Sequence, residues 1–74
     1  MKRVNVKSSH LKSVGFDVAS RVMEVEFASG DIYQYVDVPI DVFASLVRAP
    51  SKGGYFEHFV SERFVHRRVR YPET

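Results

Sequence analysis

The strongest constraint on the fold is a pair of alternating apolar segments joined by a turn that contains glycine. Residues 21–27 alternate apolar and polar side chains, with Met23 and Val25 among the apolar positions. Residues 31–38 are rich in β-branched and aromatic side chains, and residues 28–30, Ala-Ser-Gly, separate the two segments. Because successive side chains on a strand point to opposite faces, this pattern predicts a β-hairpin with one apolar face.

The length of the turn decides which face of the hairpin carries Tyr33 and Tyr35. A three-residue turn that ends with Gly30 in the left-handed conformation pairs the tyrosines with Val25 and Met23, on the apolar face. A two-residue turn shifts every pair by one residue and moves the tyrosines to the face that carries the glutamates of the first strand. We favour the three-residue turn, because a single glycine at its end is what this turn requires.

The segments on either side of the hairpin predict further strands and then two helices. Alternating residues occur over 4–6 and 11–18, and apolar residues at helical spacing occur over 39–49 and 51–64. Pro50 ends the first helix and Ser51 caps the second. The apolar residues of the second helix are Tyr55, Phe56, Phe59, Val60 and Phe64.

The end of the chain leaves two alternatives open. Residues 65–71 alternate apolar and basic side chains and fit either an edge strand or an extension of the second helix. The predicted fold class is therefore α+β: a small antiparallel β-meander of three to four strands, with two C-terminal helices packed on one face.

The size and composition of the chain limit what it can do. Its 74 residues predict a single domain, residues 1–74, with a tail at 71–74. There is no cysteine and no apolar run near the about 20 residues that span a bilayer, so we expect a soluble cytoplasmic protein without a membrane partner. A zinc site needs at least three protein ligands, and the sequence offers no third ligand at a fixed spacing from His58 and Glu62. No carboxylate pair or glycine-rich phosphate loop occurs either. We expect no cofactor, no metal and no enzymatic activity.

Basic residues are concentrated near the two termini, and the C-terminal group is the main candidate for a binding site. This group consists of Arg63, Arg67, Arg68 and Arg70, and guanidinium groups suit phosphates. Lys52, next to two glycines at a helix start, adds an anion contact near exposed backbone N–H groups.

The leading hypothesis is that these basic residues bind RNA, either tRNA or single-stranded RNA. The alternative for the arginines is a solvated tail or pairing with acidic strand residues. If the two basic termini meet in space, they form one anion-binding face.

Two further interpretations concern the second strand of the hairpin. Tyr33 and Tyr35 have the spacing of base-stacking platforms, although the favoured register makes them core residues. Ile32 and Val36 then lie on the other face, where they support a protein partner or self-association, as would an open sheet edge.

An ordered set of short motifs resembles the KTSC domain family. The motifs are Val6-x-Ser8-Ser9, Gly15-Phe16-Asp17, Phe27-x-x-Gly30, Tyr33-x-Tyr35, Val38-Pro39, Leu46, Ala49-x-Ser51 and Gly54-x-Phe56. The resemblance covers about residues 6–64. The chain departs from the family at Phe16, usually tyrosine, and at Glu57, usually asparagine.

The family is named for the C-terminal domain of some lysyl-tRNA synthetases and also occurs as a free-standing small protein in bacteria and phages. The resemblance implies this free-standing form. It implies a role in RNA binding through the attachment to a synthetase, and no established activity.

Overall fold

The computed structural model describes residues 3–69, which form a five-stranded antiparallel sheet and two helices. The strands are β1 (Arg3–Asn5), β2 (Leu11–Asp17), β3 (Val22–Phe27), β4 (Ile32–Tyr35) and β5 (His66–Val69). The helices are α1 (Ile40–Arg48) and α2 (Lys52–Phe59). The strands pair in the order β1-β2-β3-β4-β5. Neither helix of the described part is long and apolar enough to cross a membrane.

The α+β prediction is confirmed, with a correction to the number of strands. The sheet has five strands rather than three to four, because residues 66–69 pair with β4 as an edge strand. The helices consequently precede the last strand instead of ending the chain. Arg70 and the predicted tail at 71–74 lie outside the described residues.

The β3–β4 hairpin has the register of the three-residue turn. Val25 pairs with Tyr33 and Met23 pairs with Tyr35. Gly30 has a φ of 98°, which side chains disfavour and glycine accepts, and its N–H donates to the carbonyl of Phe27. The predicted register is confirmed, and both tyrosines lie on the helix-covered face of the sheet.

The core lies between this face and the two helices. Its buried residues are Leu11, Val14, Met23, Val25, Tyr35, Val38, Leu46, Phe56 and Val60. The second helix is shorter than the predicted 51–64, because α2 ends at Phe59 and Val60 follows it as the C-cap. Of the five apolar residues predicted for this helix, Phe56 and Val60 are buried, whereas Phe59 is 51% exposed. Positions four residues apart lie on one face of a helix, so the short α2 turns a narrow stripe to the sheet.

The face opposite the helices carries a row of cross-strand partners, which we call the polar row, with polar side chains on four of the five strands. Arg3, Gly15, Glu24, Gln34 and Arg67 are successive cross-strand partners. Arg3 Nε lies 3.5 Å from Glu24 Oε2, and the intervening Gly15 places no side chain between them. Gln34 Nε2 donates to Glu24 Oε1 over 2.9 Å, and Arg67 Nη2 donates to Gln34 Oε1 over 2.8 Å. Side chains therefore connect both edge strands to the buried Glu24.

The sheet order separates the two basic ends of the chain. β1 and β5 are the opposite edges of the sheet, four strand spacings or about 19 Å apart. Arg3 on β1 lies within 4 Å of the carboxylates of Glu24 and Glu26. In the described residues the basic ends therefore do not form one anion-binding face, because a meander in sequence order places its first and last strands farthest apart.

Candidate functional site

Tyr33 and Tyr35 both pack beside β5, and Tyr35 also packs beneath α2. Tyr35 is 3% exposed, and its ring centroid lies 5.5 Å from that of Phe56 and 5.1 Å from that of His66. Tyr33 is half-buried and contacts Phe27 and His66, with centroids 5.7 and 5.5 Å apart. Burial, and secondarily the neighbouring Tyr33, raises the pKa of Tyr35 to about 12. The ring of Tyr35 is a core element and has no open face for a base.

Two of the predicted arginines lie on β5 and point to opposite faces of the sheet. Arg67 pairs with Gln34 on the open face, and Arg68 pairs with Tyr33 on the helix-covered face. Arg67 donates to Gln34 Oε1. Arg68 Nη2 lies 2.9 Å from Asp31 Oδ1, and the Arg68 side chain remains 60% exposed. The two guanidinium groups therefore straddle the β5 edge.

The other predicted residues divide between the two ends of α2. Arg63 is exposed in the turn that leads from α2 into β5. Lys52 is the first residue of α2, and eight helical residues extend over about 12 Å. Its Nζ donates to the carbonyl of Ala49 over 2.9 Å. The structure thus places Arg67 and Arg68 on the β5 edge, Arg63 in the turn before that strand, and Lys52 at the other end of α2.

Lys52 lines a groove that the sequence did not indicate. We call it the two-lobed groove. Its polar lobe has a volume of about 460 Å³ and is lined by Lys7, Ser8, Ser9, His10, residues 50–54 and Glu57. Its apolar lobe has a volume of about 260 Å³ and is lined by Ser9, His10, Leu11, Phe27, Ala28, Ser29, Gly53, Phe56 and Glu57. The lobes share four lining residues, Ser9, His10, Gly53 and Glu57, and therefore lie side by side.

Local hydrogen bonds shape the walls of this groove. Ser8 Oγ accepts from the backbone N–H groups of His10 (3.2 Å) and Leu11 (3.3 Å), so residues 6–10 form a loop that turns back into β2. On the other wall Ser51 Oγ accepts from the N–H of Gly54 over 3.2 Å, which confirms the predicted helix cap. A hydroxyl that accepts in this way still has its own proton to donate.

Gly53 allows the two walls to come close together. A Cβ at this position would lie 3.4 Å from both Ser8 Oγ and His10 Cδ2. Ser8 Oγ contacts the backbone of His10 rather than its imidazole, so this pair does not form a nucleophile and base. Within residues 3–69, no three histidine, aspartate or glutamate side chains converge as metal ligands.

The comparison with protein families covers strands β2 to β4, both helices and the groove, and leaves out β1 and β5. The sequence model of the KTSC domain matches residues 7–64. This chain belongs to the KTSC domain family. An uncharacterised protein of Stutzerimonas stutzeri is 46% identical over 56 residues, which cover 76% of this chain and 79% of that protein.

Two further KTSC relatives show where the domain occurs. A crystal structure of a KTSC domain protein from Yersinia pestis superimposes with a TM-score of 0.91 at 32% identity, covering 93% of this chain and 97% of that one. A lysine–tRNA ligase of a Nostoc species is 35% identical over 63 residues, 85% of this chain but 11% of the ligase. The KTSC domain therefore exists both as a small protein and as a short segment of lysine–tRNA ligases.

Proposed function

We propose that this KTSC domain is a small non-catalytic binding domain that contacts RNA phosphates through the arginines of its β5 edge. The observation that carries the proposal is the position of Arg63, Arg67 and Arg68, all exposed on β5 or in the turn before it. The planar guanidinium group of arginine matches the geometry of a phosphate. An arginine on an edge strand can reach the phosphates of an RNA backbone that lies beside the sheet.

The contacts of these arginines within the described residues leave donors for a ligand. A guanidinium has five N–H donors. The hydrogen bonds of Arg67 use Nε and Nη2, and that of Arg68 uses Nη2. Nη1 of both side chains can therefore donate to a phosphate. The contact with Gln34 orients the guanidinium of Arg67, and the contact with Asp31 orients that of Arg68.

The relatives support the same proposal. Lysine–tRNA ligases act on a tRNA, and three of them contain a segment at least 33% identical to this chain. A short domain attached to such an enzyme could add phosphate contacts without taking part in the chemistry. The lack of cysteine fits a reducing compartment, and we place the protein in the cytoplasm.

A salt titration tests the proposal. Fluorescence anisotropy would measure the affinity for tRNA and for a single-stranded oligouridylate at several salt concentrations. We expect the slope of log affinity against log salt to be about −2 to −3, because each phosphate contact contributes about −0.7 to −0.9. The double variant Arg67→Ala/Arg68→Ala should reduce the magnitude of the slope by about 1.4–1.8.

A matched control removes two positive charges elsewhere. Lys12→Ala/Arg48→Ala changes the net charge equally, at exposed positions on β2 and at the end of α1. This variant should keep the slope of the parent protein. An equal loss in both double variants, or no binding at low salt, would refute the proposal.

A second candidate function is self-association by strand addition. Among the described strands, β1 and β5 each have one paired neighbour, and open edges accept further strands. Ile32 and Val36 are half-buried rather than exposed, so the edges favour this candidate more than the open face does. Light scattering over a concentration series would reveal a dimer, and a monomer at every concentration would exclude it.

A further inference from the structure

We infer that the two-lobed groove binds one nucleotide of the RNA strand, with a phosphate in its polar lobe and the base in its apolar lobe. The inference rests on the proposed function and adds to it a second contact region, on different elements from the β5 arginines.

The polar lobe has the chemistry of a phosphate site. Its lining residues include Lys7 and Lys52 and one carboxylate residue, Glu57. Lys52 Nζ uses one of its three N–H donors on the carbonyl of Ala49 and keeps two for a ligand. The hydroxyls of Ser8 and Ser51 accept from backbone N–H groups and so keep their protons for a phosphate oxygen. A carboxylate or phosphate is therefore favoured here over a cation or a neutral apolar group.

The apolar lobe has the chemistry of a base site. Leu11, Phe27, Ala28 and Phe56 supply its apolar walls. His10 lines both lobes, and imidazole rings are among the groups on which unpaired RNA bases stack. A ligand that fills both lobes has an anionic head joined directly to a flat, largely apolar body, which describes a nucleotide. The polar lobe alone has the size of ordinary ligand pockets, about 300–1,000 Å³.

The groove lies at the same end of the sheet as Arg68. Ser29 lines the apolar lobe and its hydroxyl donates to Asp31 Oδ2 over 3.2 Å. The other carboxylate oxygen of Asp31 contacts Arg68 Nη2 at 2.9 Å. Two side-chain contacts, Ser29 to Asp31 and Asp31 to Arg68, thus connect the groove with the β5 edge.

An NMR titration tests the inference at residue resolution. The probes are adenosine 5′-monophosphate, adenosine, an oligoadenylate trimer and a hexaglutamate peptide, each added to the ¹⁵N-labelled chain. We expect the nucleotide and the trimer to shift the amide signals of residues 8–11 and 53–54 in a saturable way. Adenosine, without phosphate, should bind at least about fivefold more weakly.

Three variants separate a site from general charge effects. Lys7→Ala should weaken nucleotide binding about fivefold or more. Gly53→Ala adds a methyl group between the groove walls, 3.4 Å from Ser8 Oγ and His10 Cδ2, and should weaken binding while the helix remains folded, since alanine favours a helix over glycine. Lys12→Ala, whose amine faces Glu26, is the charge-matched control and should bind like the parent protein.

The outcomes distinguish this inference from the proposed function. No shift in the groove with either adenylate probe overturns the inference, and a salt slope that still depends on Arg67 and Arg68 then leaves the proposed function standing. Binding of the mononucleotide but not the trimer overturns the assignment to RNA in favour of a free nucleotide. Equal shifts with hexaglutamate overturn it in favour of an acidic peptide.

Discussion

Tyr35 keeps its hydroxyl proton in the folded state far above the pH at which a free tyrosine ionises. Its pKa is raised to about 12, first by desolvation and then by the neighbouring Tyr33, whereas an unfolded chain has a tyrosine pKa of about 10. Below pH 10 both states hold the proton and the difference contributes nothing. Between pH 10 and 12 only the unfolded state releases it, so stability falls as pH rises.

This pKa predicts the pH dependence of one variant. The free energy of unfolding of the parent protein should fall relative to that of Tyr35→Phe by up to about 3 kcal/mol between pH 10 and 12. Urea unfolding at several pH values measures the difference. Tyr55→Phe removes a phenol from α2 and should follow the parent protein. Parallel loss of stability in the parent and in Tyr35→Phe would contradict the assignment.

At the scale of elements, the polar row makes the short edge strand β1 depend on β3. The side chain of Glu24 is 6% exposed and that of Arg3 28% exposed, so this pair is largely removed from water. Truncating one partner of such a pair costs more than losing a surface ion pair, because the remaining charge stays buried. Lys12 and Glu26 form the contrasting case, with the Lys12 side chain 66% exposed.

The contrast gives a prediction about two basic residues of neighbouring strands. Arg3→Ala should lower the free energy of unfolding by about 1–3 kcal/mol. Lys12→Ala should change it by less than about 0.5 kcal/mol. Both variants lose one positive charge, so urea unfolding of the pair isolates the effect of burial. If Arg3→Ala and Lys12→Ala destabilised the protein equally, the polar row would not be what stabilises the pairing of β1 with the sheet.

How far the sequence predicts these elements depends on how local their causes are. The hairpin register follows from Gly30 and the α2 cap from Ser51, since each acts within a few residues. The β5 strand stayed ambiguous because Val65 and Val69, four residues apart, share one face of a strand and of a helix alike. Pairing with the edge of β4 decides for the strand. The groove was not predicted, because its walls come from three segments that are far apart in the sequence. One of them, the Ser8 loop, is shaped by hydrogen bonds from backbone N–H groups to the Ser8 hydroxyl.

At the scale of the whole molecule, the sheet places basic residues of the described part at two edges with different surroundings. Arg3 on β1 is occupied with Glu24 and Glu26, whereas Arg68 on β5 is 60% exposed beside Asp31. The edges are about 19 Å apart, beyond the about 8 Å over which charges interact at physiological salt. A ligand on one edge is therefore screened from charges on the other.

Two variants of equal charge should therefore have opposite consequences. Arg68→Ala should reduce the magnitude of the RNA salt slope by about 0.7–0.9 and change the unfolding free energy by less than about 0.5 kcal/mol, since its ion pair is exposed. Arg3→Ala should do the reverse, with lower stability and an unchanged slope. If RNA binding depended only on net charge, both variants would lose the same affinity. Anisotropy titrations and urea unfolding of both proteins, at a temperature where Arg3→Ala remains folded, decide between one basic surface and two edges with separate roles.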